Sequence, residues 1–219
     1  MRIARLFQRS RPGGQDSQAA ERPGRIEDDA SVVAVDNFNP RTSAEGHALV
    51  PLRQTGWSVV RPEEYFRGRW EERHQLNMPG PFYGAETDTC CDGPPLAPYS
   101  LLTDTERMGF VWRQPRNDAE THSLMIGCSS DPFCGFGWDG DQHWTPALVR
   151  HWWSERENRA QDAVAAAQDV ASFDHYPENI GPAYLAYLNG DDIVRDLRRY
   201  VFFLIEGRYP TDDDGLPQL

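Results

Sequence analysis

The clearest structural signal in the chain is a periodic apolar stripe near its C-terminus. Between residues 191 and 206, apolar side chains recur at the spacing of one helix face. The stripe consists of Ile193, Val194, Leu197, Tyr200, Val201, Leu204 and Ile205. Asp191 is placed to cap this segment, and Gly207 and Pro210 are placed to end it. The pattern predicts an amphipathic helix that buries one face against a core.

Three segments just upstream are also predicted to be helical. Thr145 is a good N-cap with Pro146 at the first helical position, and an apolar stripe of Leu148, Val149, Trp152 and Trp153 follows. An Ala-rich helix is expected over about 159–172, on the same reasoning. The stretch "GPAYLAYL" predicts one more, stopped by Asn189-Gly190. The C-terminal half is therefore expected to be helical.

The preceding part of the chain mixes helix and strand signals. "YSLLT" and "MGFVW", separated by "DTER", are typical of a β-hairpin. A helix is predicted to begin at Pro62, with Tyr65, Phe66, Trp70 and Leu76 on its apolar face. These signals predict an α+β fold, with a small, mostly antiparallel sheet and a helical C-terminal half.

The chain is expected to form one domain with flanking segments. Residues 1–45 are interpreted as a largely disordered basic tail and linker, with "SVVAV" at 31–35 as a short strand. A single α+β domain is expected over 46–208, beginning near Ala48. Residues 209–219 are interpreted as an acidic, flexible C-terminus.

Charge narrows the range of partners. All 22 basic residues are Arg, and the net charge is −12. Residues 1–25 carry six Arg against Asp16 and Glu21, which gives +4 and leaves −16 for residues 26–219. Such an acidic body argues against nucleic-acid binding, which needs a basic surface. No apolar run approaches the roughly 18 residues of a membrane span, and no secretory signal is evident, so a cytoplasmic protein is expected.

The stretch "GFGWDG" at residues 135–140 has the spacing of a dinucleotide-binding loop, but it lacks the preceding strand and the helix that should follow directly. It also fails as a calcium loop, because Trp144 and Arg150 stand where Gly and Glu are required. We interpret it as a tight bend in which Gly135, Gly137 and Gly140 permit positive φ. Four aromatic residues are expected to fold onto the core there: Phe133, Phe136, Trp138 and Trp144.

The four cysteines have no recognisable metal-binding spacing. Cys90-Cys91 and Cys128-x5-Cys134 match neither zinc knuckles nor iron–sulfur runs. Cys128 and Cys134, with His143 in place of a further thiolate, are the candidate zinc ligands if distant residues converge. Buried reduced thiols are the favoured interpretation, and no cofactor is expected.

Carboxylates in two loops suggest an enzyme as the alternative function. Glu86 and Asp88 in "GAETDT" would point to one face if extended. Together with Asp139, Asp141 and His143 they could bind a metal or act as an acid/base pair in a metal-dependent hydrolase-type enzyme. This requires the loops at 82–95 and 131–145 to meet, which the sequence leaves open.

The favoured function is binding of a basic protein partner. An acidic body can steer a basic partner, and Trp138 and Trp144 beside Asp139 and Asp141 could form an aromatic, charged rim. Cytoplasmic immunity or antitoxin-type proteins and accessory proteins illustrate the class.

Two Gly-rich stretches, "PGPFYGAETDTC" and "DGDQHWTPALVRHWW", resemble an uncharacterised family from high-GC actinobacteria. The resemblance spans about residues 57–155 and brings no established activity, so it assigns no functional residue. It implies only that both stretches belong to one folded unit.

Overall fold

A computed structural model describes residues 37–47, 62–88 and 90–219 of the protein. The helices of this part of the chain are α1 Pro40–His47, α2 Pro62–Tyr65, α3 Gly93–Leu96, α4 Asp118–Ser129, α5 Pro146–Ser154, α6 Ala160–Asp169, α7 Ile180–Asn189 and α8 Asp191–Glu206. The strands are β1 Tyr83–Gly84, β2 Leu101–Thr103, β3 Gly109–Val111 and β4 Phe136–Gly137. Short 3₁₀ turns lie at Trp70–Glu72, Gly140–Gln142 and Val170–Ser172.

The strands form two antiparallel pairs. β2 and β3 form the predicted hairpin, with Leu102 opposite Phe110. β1 pairs with β4, which lies more than 50 residues further along the chain, with Tyr83 opposite Gly137. The helices lie mostly in the C-terminal half, and the strands pair only with antiparallel neighbours in the described part of the chain. The predicted α+β class is therefore confirmed.

The C-terminal helices surround the larger of two hydrophobic clusters. Thr145 caps α5 as predicted, since its side chain accepts a hydrogen bond from the Leu148 N–H. In α8, the predicted stripe buries Ile193, Leu197, Tyr200 and Val201, which are at most 3% exposed. The stripe is nevertheless narrower than predicted, because Ile205 is 54% exposed.

The ends of α8 follow the sequence signals in part. Gly207 ends the helix in the left-handed conformation, with φ 70°, which is the conformation that favours glycine. At the other end, the prediction that Asp191 caps the helix was wrong, because the N-cap is Gly190. Asp191 and Asp192 lie in the first turn, where their charges complement the helix dipole.

The second hydrophobic cluster packs α1 and α4 beside the strands. It includes Ala44 of α1 and Leu124 of α4, both fully buried. Residues 40–45, which were expected to belong to a linker, therefore contribute to α1 and to a core. α4 was not predicted from the sequence, although Asn117 caps it by accepting a hydrogen bond from the Glu120 N–H at 2.9 Å.

The helix predicted from Pro62 is shorter than expected. α2 ends at Tyr65, and the backbone N–H groups of Arg67 and Gly68 donate to the carbonyls of Cys134 and Phe136. These bonds to the strand segment take the place of further helical bonds, so that Trp70 lies in a separate turn.

The C-terminal segment after α8 has defined contacts. Arg208 pairs with Asp214, and Arg198 donates to the carbonyls of Leu216 and Pro217. Arg198 therefore holds the end of this segment against α8, while the Arg208–Asp214 pair lies within the segment itself.

Several expectations fall outside the described residues. They concern the tail at 1–30, the strand at 31–35 and the domain start near Ala48. Within the described part of the chain, no helix is long and apolar enough to cross a membrane.

Candidate functional site

The two loops that carry the candidate acids meet in the structure. β1 and β4 hold them together, and the Ala85 N–H donates to the Gly135 carbonyl at 2.9 Å. A further bond runs from the Asp88 N–H to Asp131 Oδ1 at 3.1 Å. Both Gly-rich stretches are therefore packed in one unit, and the question left open by the sequence is answered.

The glycines of "GFGWDG" serve a different purpose from the one predicted. Positive φ occurs at Cys134, with φ 57°, and at none of the three glycines, so that prediction was wrong. A side chain at Gly137 would overlap the Tyr83 ring, and one at Gly140 would overlap the Gly80 carbonyl. These glycines are required because neighbouring groups approach the backbone closely.

The aromatic residues of this segment divide between the core and the surface. Phe136 and Trp144 are buried as predicted, with 4% and 8% exposure. Trp138 is partly buried between the Phe66 ring, which stacks on it, and the Arg41 guanidinium, 3.6 Å from its ring centroid. Phe133 differs from the expectation, because it is 70% exposed.

Asp139 and His143 form a side-chain pair. His143 Nε2 lies 3.2 Å from Asp139 Oδ2, and the Tyr83 hydroxyl donates to Asp139 Oδ1 at 2.7 Å. Although partial burial raises the pKa of Asp139, the hydrogen bonds from Tyr83 and His143 outweigh it and lower the pKa overall. Trp70 stacks on the His143 ring at 4.9 Å, so the imidazole has a fixed orientation.

Asp141 faces a different environment. The Tyr200 hydroxyl of α8 donates to Asp141 Oδ1 at 2.8 Å. Burial raises the pKa of Asp141 to about 6, while the Tyr200 bond and the positive charge of Arg41 oppose this rise. Its carboxylate thus links the loop to α8.

Glu86 and Asp88 lie on the other loop. Glu86 is exposed, and Asp88 is partly buried, with Oδ1 accepting from the Cys90 N–H at 3.3 Å. Of the five candidate catalytic residues, the structure thus pairs Asp139 with His143, while Asp141 bonds to α8.

The candidate metal ligands have separate surroundings. Cys128 is fully buried, and burial raises its pKa, as does the nearby Asp131. Cys134 is partly exposed, and His143 is engaged by Asp139 and Trp70. Among the residues that the structure describes, no group of three or more His, Cys, Asp or Glu side chains is arranged to hold a metal ion.

Asp131, which was not among the residues predicted for the site, organises the backbone of both loops. It is 5% exposed and accepts hydrogen bonds from three backbone N–H groups: those of Asp88 at 3.1 Å, Phe133 at 3.0 Å and Gly135 at 2.7 Å. The bond to the N–H two residues ahead is an Asx turn, which Asp-Pro in "SSDPF" could have indicated. The bond to Asp88 has no local sequence signal.

The result is an exposed aromatic residue beside an acidic loop. Asp131 holds the backbone of Phe133 close to that of Asp88, and the exposed residues of the segments 86–88 and 90–92 are Glu86, Cys90 and Asp92. The hydrogen bond with Asp88 raises the pKa of Cys90, and the negative charges of Asp88 and Asp92 add to this rise because they are unfavourable to a thiolate. We call this region, formed by Phe133 and residues 86–88 and 90–92, the Phe133 surface.

Comparison of the chain with protein families, with curated proteins and with solved structures finds no match.

Proposed function

We propose that the protein is a cytoplasmic binding protein for a basic protein partner, which docks on the Phe133 surface. The observation that carries this proposal is the 70% exposure of Phe133 on a loop that the buried Asp131 carboxylate fixes. Aromatic side chains dominate binding energy at protein interfaces when they enter a pocket of the partner.

The fixed loop favours binding because little freedom remains to be lost. Asp131 bonds to the backbone at both Phe133 and Asp88, so the two backbone segments that carry the aromatic side chain and the acidic residues are already positioned relative to each other. Pre-organisation of this kind lowers the entropic cost of association.

The negative charge favours a basic partner. The chain carries −12, and Glu86 and Asp92 are exposed on either side of Asp88 in the chain, whose N–H shares Asp131 Oδ1 with the Phe133 N–H. Such a surface attracts Arg- and Lys-rich proteins, speeds their encounter and repels acidic ones and nucleic acids.

The proposed docking surface differs from the aromatic, charged rim that was expected from the sequence. Trp144 is buried, and Trp138 is covered by Arg41 and Phe66. Asp139 and Asp141 are engaged by Tyr83 and Tyr200. These four side chains are thus already engaged by the protein itself or buried, whereas the Phe133 ring is exposed.

Affinity capture from the source cell tests the proposal. The tagged full-length protein is compared with Phe133→Ala, with Glu86→Gln/Asp92→Asn, and with Ile205→Ala as a control that removes an exposed apolar side chain on α8. We expect one partner that both surface variants lose, that the control retains and that about 0.5 M salt releases. Equal capture by Phe133→Ala and wild type would contradict the proposal.

A second candidate function is a hydrolase-type activity, favoured by the Asp139–His143 pair. A carboxylate that orients an imidazole is a common feature of general-base catalysis. The test is a screen of ester, phosphate and amide substrates with added divalent metals. Activity that Asp139→Asn abolishes and Asp212→Asn leaves intact would support the enzyme.

A further inference from the structure

A small cleft lies where α8 meets two loops and the start of α1. Its volume is about 50 Å³, and its walls include the apolar side chains of Phe38, Met78, Pro79 and Pro115. One water molecule needs about 10–15 Å³ of such space. The cleft therefore has room for a group of about four non-hydrogen atoms.

Two of the polar side chains that line the cleft are already satisfied by hydrogen bonds. Gln114 donates to two backbone carbonyls at 2.8 and 3.0 Å and accepts from a backbone N–H at 3.3 Å. The Tyr200 hydroxyl donates to Asp141, whose negative charge is stabilised by the positive charge of Arg41. These groups have no need of a ligand.

The ion pairs at the cleft balance one another. Arg116 Nη2 lies 2.8 Å from Asp196 and 3.1 Å from Asp192, and Arg195 pairs with the other Asp192 oxygen at 2.9 Å. The Tyr187 hydroxyl also donates to Asp196 at 3.0 Å. Two cations thus face two carboxylates, so this group adds no net charge to the cleft.

Two other side chains that line the cleft lack a partner, and both can donate. Arg199 is half-buried, and no described residue forms an ion pair or a hydrogen bond with its guanidinium. The Tyr209 hydroxyl likewise has no hydrogen bond within the described part of the chain. Burial raises the pKa of Tyr209, so the hydroxyl keeps its proton at neutral pH, and the charge of Arg199 opposes this rise because the two groups are close. A ligand that satisfies both donors must supply acceptor atoms.

We propose that this cleft binds a carboxylate group carried on a short apolar chain. One carboxylate oxygen accepts from the Arg199 guanidinium and the other from the Tyr209 hydroxyl, while the chain packs against Met78 and the prolines. Phosphate suits the site less well, because its second charge is costly among apolar walls in a protein of net charge −12. The assignment is independent of a partner at the Phe133 surface.

Selective labelling of the methionine methyl groups provides the direct test. Met78 lines the cleft, whereas Met108 and Met125 do not and serve as internal references. Sodium propionate is titrated into the full-length protein to about 50 mM at constant ionic strength, and the methyl NMR signals are followed. We expect a saturable shift of the Met78 signal with a millimolar dissociation constant.

Two further probes test the charge of the ligand. Propionamide has nearly the same shape as propionate but no charge, and it should bind about tenfold more weakly. Inorganic phosphate should also bind more weakly than propionate. Equal binding of propionamide, equal or tighter binding of phosphate, or an unchanged Met78 signal with propionate would overturn the assignment.

One more probe separates two sources of the carboxylate. N-acetyl-aspartic acid amide carries its carboxylate on a peptide backbone, whereas propionate is a free acid. Tighter binding of propionate would identify a small free acid as the ligand, and tighter binding of the aspartyl probe would identify a peptide side chain. Either result supports a carboxylate site.

Two variants locate the site. Arg199→Gln should weaken propionate binding by about tenfold or more, and Tyr209→Phe by about three- to tenfold. Neither substitution removes a hydrogen bond or ion pair to a described residue, so both variants should fold. Arg156→Gln, which makes the same charge change at an exposed position, should bind like wild type. Wild-type binding by Arg199→Gln, or an equal loss in Arg156→Gln, would overturn the assignment.

Discussion

Asp131 Oδ1 accepts a hydrogen bond from the backbone N–H of Asp88 at 3.1 Å, which joins two loops 43 residues apart in the chain. The same carboxylate also bonds to the N–H groups of Phe133 and Gly135. One buried side chain thus determines the geometry of the Phe133 surface.

Replacing Asp131 with Ala is expected to destabilise the fold. The change leaves three backbone N–H groups without their acceptor, and we expect a loss of about 2–4 kcal/mol in the free energy of unfolding. Urea denaturation measures it. Asp212→Ala, at an exposed position, should change stability by less than about 0.5 kcal/mol. Similar losses in both variants would show that the three bonds contribute little.

Asp141→Asn should change the pH dependence of stability. The folded pKa of Asp141, about 6, lies above the ordinary value of 3.8, so the folded state disfavours the charged form. The stability of the wild type should therefore fall as pH rises from about 4 to 6, and the penalty should remain in full above pH 6.

The neutral amide avoids this penalty and can still accept the Tyr200 hydrogen bond. We expect Asp141→Asn to be more stable than wild type by about 1–2 kcal/mol at pH 7, and equal to it below pH 4. At pH 7 we expect a stability difference nearer to 1 than to 2 kcal/mol, because the Asp141 side chain keeps some exposure to solvent. Thermal unfolding across pH 4–8 measures the difference; a constant difference over that range would contradict the buried-acid account.

Gly137→Ala tests the close approach of β1 and β4. The added methyl group would overlap the Tyr83 ring, whose hydroxyl positions Asp139, and overpacking of this kind costs about 1–3 kcal/mol. Gly46→Ala in α1 is the matched control, because nothing lies within 4 Å of the new methyl group. It should leave stability unchanged or raise it by up to about 1 kcal/mol. Equal stability of Gly137→Ala and wild type in urea would show that the ring gives way freely.

Elements with strong local patterns were predictable from the sequence. The stripe of α8, the Thr145 cap of α5 and the β2–β3 hairpin depend on residues close together in the chain. In each case the local spacing and the turn or cap chemistry agree with the final packing.

Elements defined by distant contacts were not predictable. β1 and β4 have two residues each, too few for an alternating pattern, and their pairing is stabilised by tertiary contacts. α2 ends early because the backbone of Arg67 and Gly68 bonds to the Cys134–Phe136 segment, against the local helix signal. α4 lacks a clear apolar stripe, although Asn117 and Glu120 were a readable start signal.

The candidate site shows the same division. The many aromatic residues near residue 140 correctly predicted that some of their rings pack into the core. The spacing of these residues in the sequence did not indicate which rings would face solvent. Phe133 follows Asp131-Pro132 in a turn that directs its side chain away from the core, while Trp144 precedes a capped helix and is buried. The exposure of a single ring depends on the fold around it.

The most direct test of the proposed function is site-specific cross-linking in the source cell. A photoreactive phenylalanine analogue is placed at Phe133 and, as a control, at Ile205, which is 54% exposed on α8. The account predicts one discrete cross-linked product from position 133, with a partner rich in Arg and Lys, and no such product from position 205. The same product from both positions, or none from position 133 while the protein is folded, would contradict it.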